Sequence, residues 1–323
     1  MTLSIIAEVG SNWHDLNDCL QSIQIAKACG ADAVKFQMFC WDELYGNQIK
    51  FSHAMPREWV PTLAEKAKGA GIEFMCTAFS PEGVDFLDPF VKRHKIASSE
   101  NCYPQLLDKI ASKGKPILLS CGGSSLSDIR LSLACLEDWD EAGTPRRKLD
   151  ITLLYCVSAY PAFETNLFKM ESLKTFAKPV GFSDHSTDVI NAPLLAYKIF
   201  SATVIEKHFR LEHISGTPDA GHALLPSQFR LMVEHLRDTR EIVFLAGEEK
   251  DARLKYNRRL IVTQDVSKGT RLKFGDNYGA YRSLKEDTKG LMPFLWPSVE
   301  GRALLWNLRT GDAIGPGTFE DVG

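Results

Sequence analysis

The sequence predicts an α/β protein, a (β/α)8 TIM barrel followed by a small β-rich module. Three observations carry that prediction. Eight short apolar or β-branched runs alternate with segments of helical periodicity up to His208. Almost every run ends in a polar or charged residue: Glu8, Lys35, Thr77, Lys95, Ser120, Ser158, Ser183 and His208. From Arg258 onward the texture changes to short alternating segments around Gly-containing turns.

Ser4-Ile-Ile-Ala-Glu8 is the first run, followed by the turn-former Gly10. Leu16 to Cys29 then carries Leu20, Ile23, Ile25 and Ala26 at helical spacing and stops at Gly30. Ala33 to Gln37 is the second strand, and Arg57 to Gly69 is a helix closed by glycine. Ile72 to Thr77 is the third strand, after which Pro81 opens a helix through Leu87. The fourth strand, Arg93 to Ser98, runs out towards Glu100, and Tyr103 to Ser112 is helical. Lys115 to Ser120 is the fifth, before a helix from Ser124 to Glu137 with Ser and Asp in its first turn. Ile151 to Ser158 is the sixth, with Tyr160-Pro161 just beyond. Pro179 to Ser183 and Val204 to His208 complete the set, joined by a helical segment from Val189 to Ser201. Pro226 to Phe244 is the last helix of the barrel. The chain thus divides into a barrel domain at 1–246, a charged linker at 247–257 and a β-rich domain at 258–323. In the latter, the turns at Asp265-Val-Ser-Lys-Gly269 and Arg309-Thr-Gly311 read as related hairpins.

Length and composition fit a globular protein with one large and one small domain: 323 residues, 44% hydrophobic and 24% charged. A net charge of -3 gives no basic footprint, which excludes nucleic acid and anionic membrane as expected partners. No run is long and apolar enough to span a bilayer, and the first residues lack a signal pattern. The eight cysteines form no C-x-x-C pair, so reduced thiols and a cytoplasmic location are expected.

A parallel barrel gathers its strand ends on one rim, where chemistry is assembled. His185 ends the run Gly181-Phe-Ser-Asp-His, and His208 ends Val204-Ile-Glu-Lys-His on the next strand. Two neutral imidazoles this close would share Mn2+ or another divalent ion and leave coordination positions open, so that the ion polarises a carbonyl. Lys35 and Lys95, with Ser and Thr hydroxyls, would neutralise a phosphate. Glu8 would hold a hydroxyl or move a proton. Each also has a plainer use: a packed histidine, a solvated lysine, a carboxylate serving as an ion-pair partner. Together they point to an aldol-like condensation beside a bound phosphate, and the residues alone stop at that class.

The order of the motifs goes further. Ile5-Ile-Ala-Glu-Val-Gly, Gly30-Ala-Asp-Ala-Val-Lys-Phe-Gln, Phe74-Met-Cys-Thr-Ala-Phe, Lys95-Ile-Ala-Ser-Ser-Glu, Cys156-Val-Ser-Ala-Tyr-Pro, Gly181-Phe-Ser-Asp-His and Ile205-Glu-Lys-His-Phe follow one another along the barrel. In this the chain resembles the sialic acid synthases (NeuB-like nonulosonate synthases), which condense phosphoenolpyruvate with an N-acylated amino sugar. The tail resembles their antifreeze-like (SAF) domain. The resemblance implies that His185 and His208 bind Mn2+ or another divalent metal. It places phosphoenolpyruvate on Lys35, Thr77, Lys95, Ser98, Ser120 and Ser183. Glu8, Gln37, Phe79, Glu100, Tyr160 and Asp219 would line the rest of the pocket, with Ser158 as a further substrate-binding candidate at the place, shared with Ala159, where the sialic acid branch commonly has Asn before Tyr-Pro. Arg282 would contact the sugar's N-acyl group, reaching across a domain-swapped homodimer. In that chemistry C3 of phosphoenolpyruvate attacks the open-chain aldehyde, water adds at C2, and phosphate leaves by C–O cleavage.

Departures from the family pattern lie on the sugar side. The usual Gly-x-Asn-His-Asn-Gly is Gly10-Ser-Asn-Trp-His-Asp, Gly-Pro-Asp-His becomes Gly216-Thr-Pro-Asp-Ala-Gly-His222, and Arg-Pro-Gly becomes Arg282-Ser-Leu. Rival readings are a phosphoenolpyruvate–aldose-phosphate condensing enzyme of the same barrel type, a catalytically silent sugar-binding homologue and a barrel metallohydrolase.

Overall fold

Strands covered on both faces have no reason to alternate apolar with polar, so they read as nearly unbroken apolar runs. The computed structural model describes residues 3–39, 44, 54–238, 257–283 and 290–319. Its eight barrel strands are β1 (Ser4–Gly10), β2 (Ala33–Met38), β3 (Glu73–Ala78), β4 (His94–Ile96), β5 (Ile117–Ser120), β6 (Ile151–Tyr155), β7 (Val180–Asp184) and β8 (Val204–His208). They form a parallel sheet in the order β3-β2-β1-β8-β7-β6-β5-β4. Because β1 pairs with both β2 and β8, the first and last strands are neighbours, and β3 packs against β4 at the seam. This is a nearly closed (β/α)8 barrel.

Eight α-helices accompany the strands among the described residues: α1 (Leu16–Ala28), α2 (Val60–Ala70), α3 (Pro81–Leu87), α4 (Pro104–Ser112), α5 (Leu126–Glu137), α6 (Lys169–Lys174), α7 (Asn191–Lys198) and α8 (Pro226–Arg237). Their starts follow from side-chain caps. Asp15 accepts from Asp18 N, Ser80 from Gly83 N, and Ser125 and Asp128 form a reciprocal capping box. The helix expected to close at Gly69 runs one residue on and closes at Gly71, whose φ of 67° suits glycine and lets its N–H reach the carbonyls of Ala67 and Lys68. Helix α6 was not anticipated: six residues burying Met170 and Leu173 are too few to display a period.

Strands four and six are shorter than expected. Ser98–Glu100 form a 3-10 turn in which Ser98 Oγ accepts from Gly122 N instead of extending β4. Beyond Tyr155 the chain leaves the ladder, and Val157 turns its carbonyl to His185 Nδ1, so Ser158 sits on a loop. The linker expected at 247–257 lies outside the described residues apart from Asn257, as does the end of the last helix towards Phe244.

Two layers of packing result. Ile5, Ala7 and Val9 of β1 face the helices in the large core, whereas Ile6 joins Ala33, Met75, Leu118, Leu154 and Val204 in a separate cluster inside the barrel. Two residues along, the same inward positions hold Glu8, Lys35, Thr77, Ser120 and Glu206. The barrel is therefore plugged by hydrocarbon below and lined with polar groups above.

The chain divides into two compact units, Met1–Arg240 and Glu241–Gly323. In the second, β9 (Arg259–Val262) pairs antiparallel with β10 (Tyr278–Tyr281) around a core of Leu260, Val266, Leu272, Tyr278, Leu304 and Ile314. The two turn segments are not separate hairpins. The bridges Ile261↔Ala313, Val266↔Leu308 and Arg271↔Ala303 pair them with each other in one antiparallel register. Asp265 Oδ1 accepts from Thr310 N at 2.8 Å, and Asn307 Oδ1 from Lys268 N at 2.7 Å. Pairing between distant segments buries more apolar surface than either isolated hairpin would.

The interior plug leaves no space at Gly181. A Cβ there would lie 2.6 Å from Leu154 Cδ2 and 2.8 Å from the carbonyl oxygen of Val204. Gly181→Ala is expected to destabilise the barrel by about 1–3 kcal/mol through overpacking, measured by urea denaturation; an unchanged midpoint would contradict the packing described.

Candidate active site

The polar layer opens into a cavity of about 620 Å³ at the C-terminal ends of the strands. Of the residues expected at the site, it brings together Glu8, Lys35, Gln37, Thr77, Phe79, Lys95, Ser98, Ser120, Ser158, Tyr160, Ser183, His185 and His208. Glu100 and Asp219 lie outside this lining. Glu100 is half-buried on the 3-10 turn after β4, and Asp219 is tethered to the β1–α1 loop. Arg282 is exposed just past β10 in the second unit.

Four ionisable groups meet on the floor. Lys35 Nζ lies 2.8 Å from Glu8 Oε2 and 3.7 Å from Glu206 Oε2, and Lys95 Nζ lies 3.9 Å from Glu206 Oε1. Gln37 Nε2 donates to Glu8 Oε1 at 2.8 Å, and Ser183 Oγ donates to Glu206 Oε1 at 2.8 Å. Burial pushes the Glu8 carboxyl up to about 7 against the pull of Lys35. Burial acts on Glu206 in the same sense, but Lys35 and Lys95 outweigh it and hold that carboxyl at about 2. One acid thus titrates near neutrality while its neighbour stays ionised, the separation that equips a site for proton transfer. Lys35, flanked by both carboxylates, is raised despite burial; Lys95 is lowered by burial.

The two expected histidines stand on the same rim with ring centroids 5.6 Å apart. Tyr160 stacks on His185 at 4.4 Å. His185 Nδ1 donates to the carbonyl of Val157 at 2.7 Å, which leaves Nε2, 3.3 Å from Ser183 Oγ, to act as acceptor or ligand. Burial holds His185 down to about 4 and His208 well below its ordinary range, so both imidazoles are neutral, as ligands must be.

A further histidine lies closer to His208: the His222 ring is 4.3 Å away. His208, Asp219 and His222 each offer one ligand atom, all within 4.8 Å of one another. Asp219 Oδ2 is 4.0 Å from His208 Nδ1, and Oδ1 is 3.9 Å from His222 Nε2. Those two ring nitrogens are buried without a hydrogen-bond partner. Orphaned imidazole nitrogens converging on one carboxylate fit a divalent cation, so His208 is flanked by donors on both sides. Asp219 is pinned by Ser11 N and Ser11 Oγ, each at 2.7 Å, and Gly10 permits that approach: a Cβ there would stand 2.4 Å from Asp219 Oδ2.

Sequence reasoning missed Glu206 and His222. Glu206 had a signal, since it lies two residues before His208 and must face the same way. His222 is three residues from Asp219 in an irregular loop, where no period reveals a direction.

Comparison with known proteins agrees with this geometry. The NeuB family pattern matches residues 22–248. An N,N'-diacetyllegionaminic acid synthase from Legionella pneumophila is 31% identical, covering 97% of this chain and 94% of its own length. A pseudaminic acid synthase from Helicobacter pylori is 30% identical over 83% of this chain and 85% of its own. The crystal structure of N-acetylneuraminic acid synthetase from Leptospira borgpetersenii, solved with citrate, superimposes with a TM-score of 0.67 at 28% identity, covering 79% of this chain and 92% of that one. A barrel whose rim joins two lysines, two glutamates and neighbouring imidazoles, matched along most of its length by these synthases, belongs to the NeuB family.

Proposed function

We propose that the chain is a nonulosonic acid synthase, a transferase that condenses phosphoenolpyruvate with an N-acylated amino sugar and releases phosphate. The carrying observation is the single cavity that holds Lys35 and Lys95 beside His185 and His208. Relatives of similar length that make legionaminic and pseudaminic acids support the reading.

Phosphoenolpyruvate takes the floor, its phosphate near Lys35 and Lys95 and within reach of the hydroxyls of Thr77, Ser98, Ser120 and Ser183. The acceptor, N-acetylmannosamine or a 2,4-diacetamido hexose, takes the outer part, towards Gln37, Phe79, Ser158, Tyr160 and Asp219, with Glu100 beyond. A divalent cation, Mn2+ in our reading, would be held at His208 with His185 and with Asp219 and His222 beside it, and supplies Lewis-acid polarisation of the sugar aldehyde when bound. The protein's own groups manage the protons. Glu8 gives its proton to the aldehyde oxygen as C3 of phosphoenolpyruvate forms the new C–C bond. Ionised Glu206 takes a proton from the water that adds at C2 and passes it to the bridging oxygen as the C–O bond to phosphate breaks, while the C2 hydroxyl proton of the collapsing intermediate returns to Glu8. The lysines stabilise the departing dianion.

We read the β-rich unit at 258–323 as an antifreeze-like domain, joined to a barrel domain at 1–246 by the linker at 247–257. Arg282 reaches the acceptor of a second copy in a domain-swapped homodimer. No helix among the described residues is long and apolar enough to cross a membrane. The seven described cysteines are unbridged, and we read the enzyme as cytoplasmic.

The direct test supplies phosphoenolpyruvate, Mn2+ and, in turn, N-acylated amino sugars or phosphorylated aldoses, reading phosphate release and product mass. A nonulosonate product is expected; phosphate release with phosphorylated aldoses alone would replace the proposal with the rival synthase. His208→Ala is expected to cut metal-dependent turnover at least about a hundredfold with the circular dichroism of the barrel retained. Because the reaction draws on protonated Glu8, the rate should fall as pH rises through about 7. In Glu8→Gln that alkaline limb should vanish and kcat drop by about 10²–10⁴-fold. A wild-type rate that keeps rising across that range would remove Glu8 from the role.

A further inference from the structure

Successive residues of β7 and β8 face opposite ways. Ser183, His185, Glu206 and His208 line the cavity. Between them, Asp184 and Lys207 point to the other face of the sheet, and neither side chain has any exposure. They are direct partners in the ladder. Lys207 Nζ donates to Asp184 Oδ2 and to the carbonyl of Ser186, both at 2.6 Å, with Ser186 Oγ 3.5 Å away. Asp184 Oδ1 accepts from Ser186 N at 2.9 Å. One ammonium and one carboxylate therefore tie the last rung of β7 and β8 to the residue that follows His185.

A fully buried ion pair adds little net stability, because desolvating both charges offsets their attraction. Apolar side chains would hold two strands together as well. Directional bonds to the backbone of Ser186 do something apolar packing does not: they fix where the chain turns on leaving His185. The outward bonds of the two histidines continue the pattern, since the carbonyl of His185 accepts from Ala162 N at 3.0 Å and that of His208 from Leu224 N at 2.8 Å.

We propose that Asp184 and Lys207 are positioning residues. As a clasp behind the sheet, they hold the ends of β7 and β8 so that the His185 and His208 rings keep their 5.6 Å separation and their orientation towards the cavity. The synthase reading supplies the purpose of that orientation, a divalent cation, and the clasp deepens it.

The test uses the full-length chain carrying Asp184→Asn with Lys207→Met, which removes both charges together and keeps an acceptor for Ser186 N. Three readouts are taken: cooperative melting, Mn2+ affinity by paramagnetic resonance titration, and the Cε1–H signals of labelled histidines in metal-free protein. The double variant should melt cooperatively, bind Mn2+ about 10–100-fold more weakly, and show broadened or doubled signals for His185 and His208 but not for His94 or His213. A folded double variant with unchanged Mn2+ affinity and unchanged ring signals overturns the proposal, leaving the pair a register device only. Should the double variant not fold, isosteric Asp184→Asn alone must move both readouts in the same direction, or the clasp is rejected. If the unaltered chain binds no Mn2+, the cation in the functional reading falls, while the ring signals still decide the clasp.

Discussion

Two lysines and two glutamates lie on a floor of hydrocarbon with almost no access to water. Any one of these charges alone in that position would cost several kcal/mol, so each is tolerable because the others are there. Lys35 between Glu8 and Glu206, and Lys95 beyond, spread the compensation across four strands that the barrel must hold in register. The plug of Ile6, Met75, Leu118, Leu154 and Val204 beneath them does the opposite work. It excludes water from below, so that the field of the lysines is felt in the cavity above. Closure of the sheet, the absence of a side chain at Gly181 and the parity of every inward position serve this stratification.

The same layer explains why the carboxylates differ. Glu8 and Glu206 are equally buried, but Glu206 has both lysines in reach and Ser183 as a donor. Glu8 has one lysine and an amide. A site with one proton-bearing and one ionised acid can give and take protons without waiting for bulk water. Beside it, neutral imidazoles and a pinned carboxylate offer lone pairs without adding positive charge to the floor, so anion binding and cation binding do not compete for one electrostatic balance.

Order at the rim comes from outside the cavity as much as within it. Ser11 holds Asp219, the Val157 carbonyl sets the tautomer of His185, and Lys207 anchors the turn after it. Such contacts lie behind the groups gathered at the rim, which is where metal and anion sites draw their geometry.

The strands, most helices and the residues at the strand ends were legible because local patterns fix them: apolar runs, caps, and the rule that parallel strands deliver their last residues to one rim. Lys35, Lys95, His185 and His208 could be named this way, and so could Glu206 once strand parity is applied. The places where the reading stopped short are those where a distant partner decides. Val157 and Ser98 leave their strands for bonds to His185 and Gly122, and the two turns of the β-rich unit pair with each other across forty residues of chain. His222 reaches His208 through a loop with no repeat. The sequence by itself determined which residues have one rim in common, because periodicity is a property of the backbone. Only the tertiary structure decided which of them touch and which keep a proton, because burial and Coulomb energy depend on neighbours that the chain order does not place side by side.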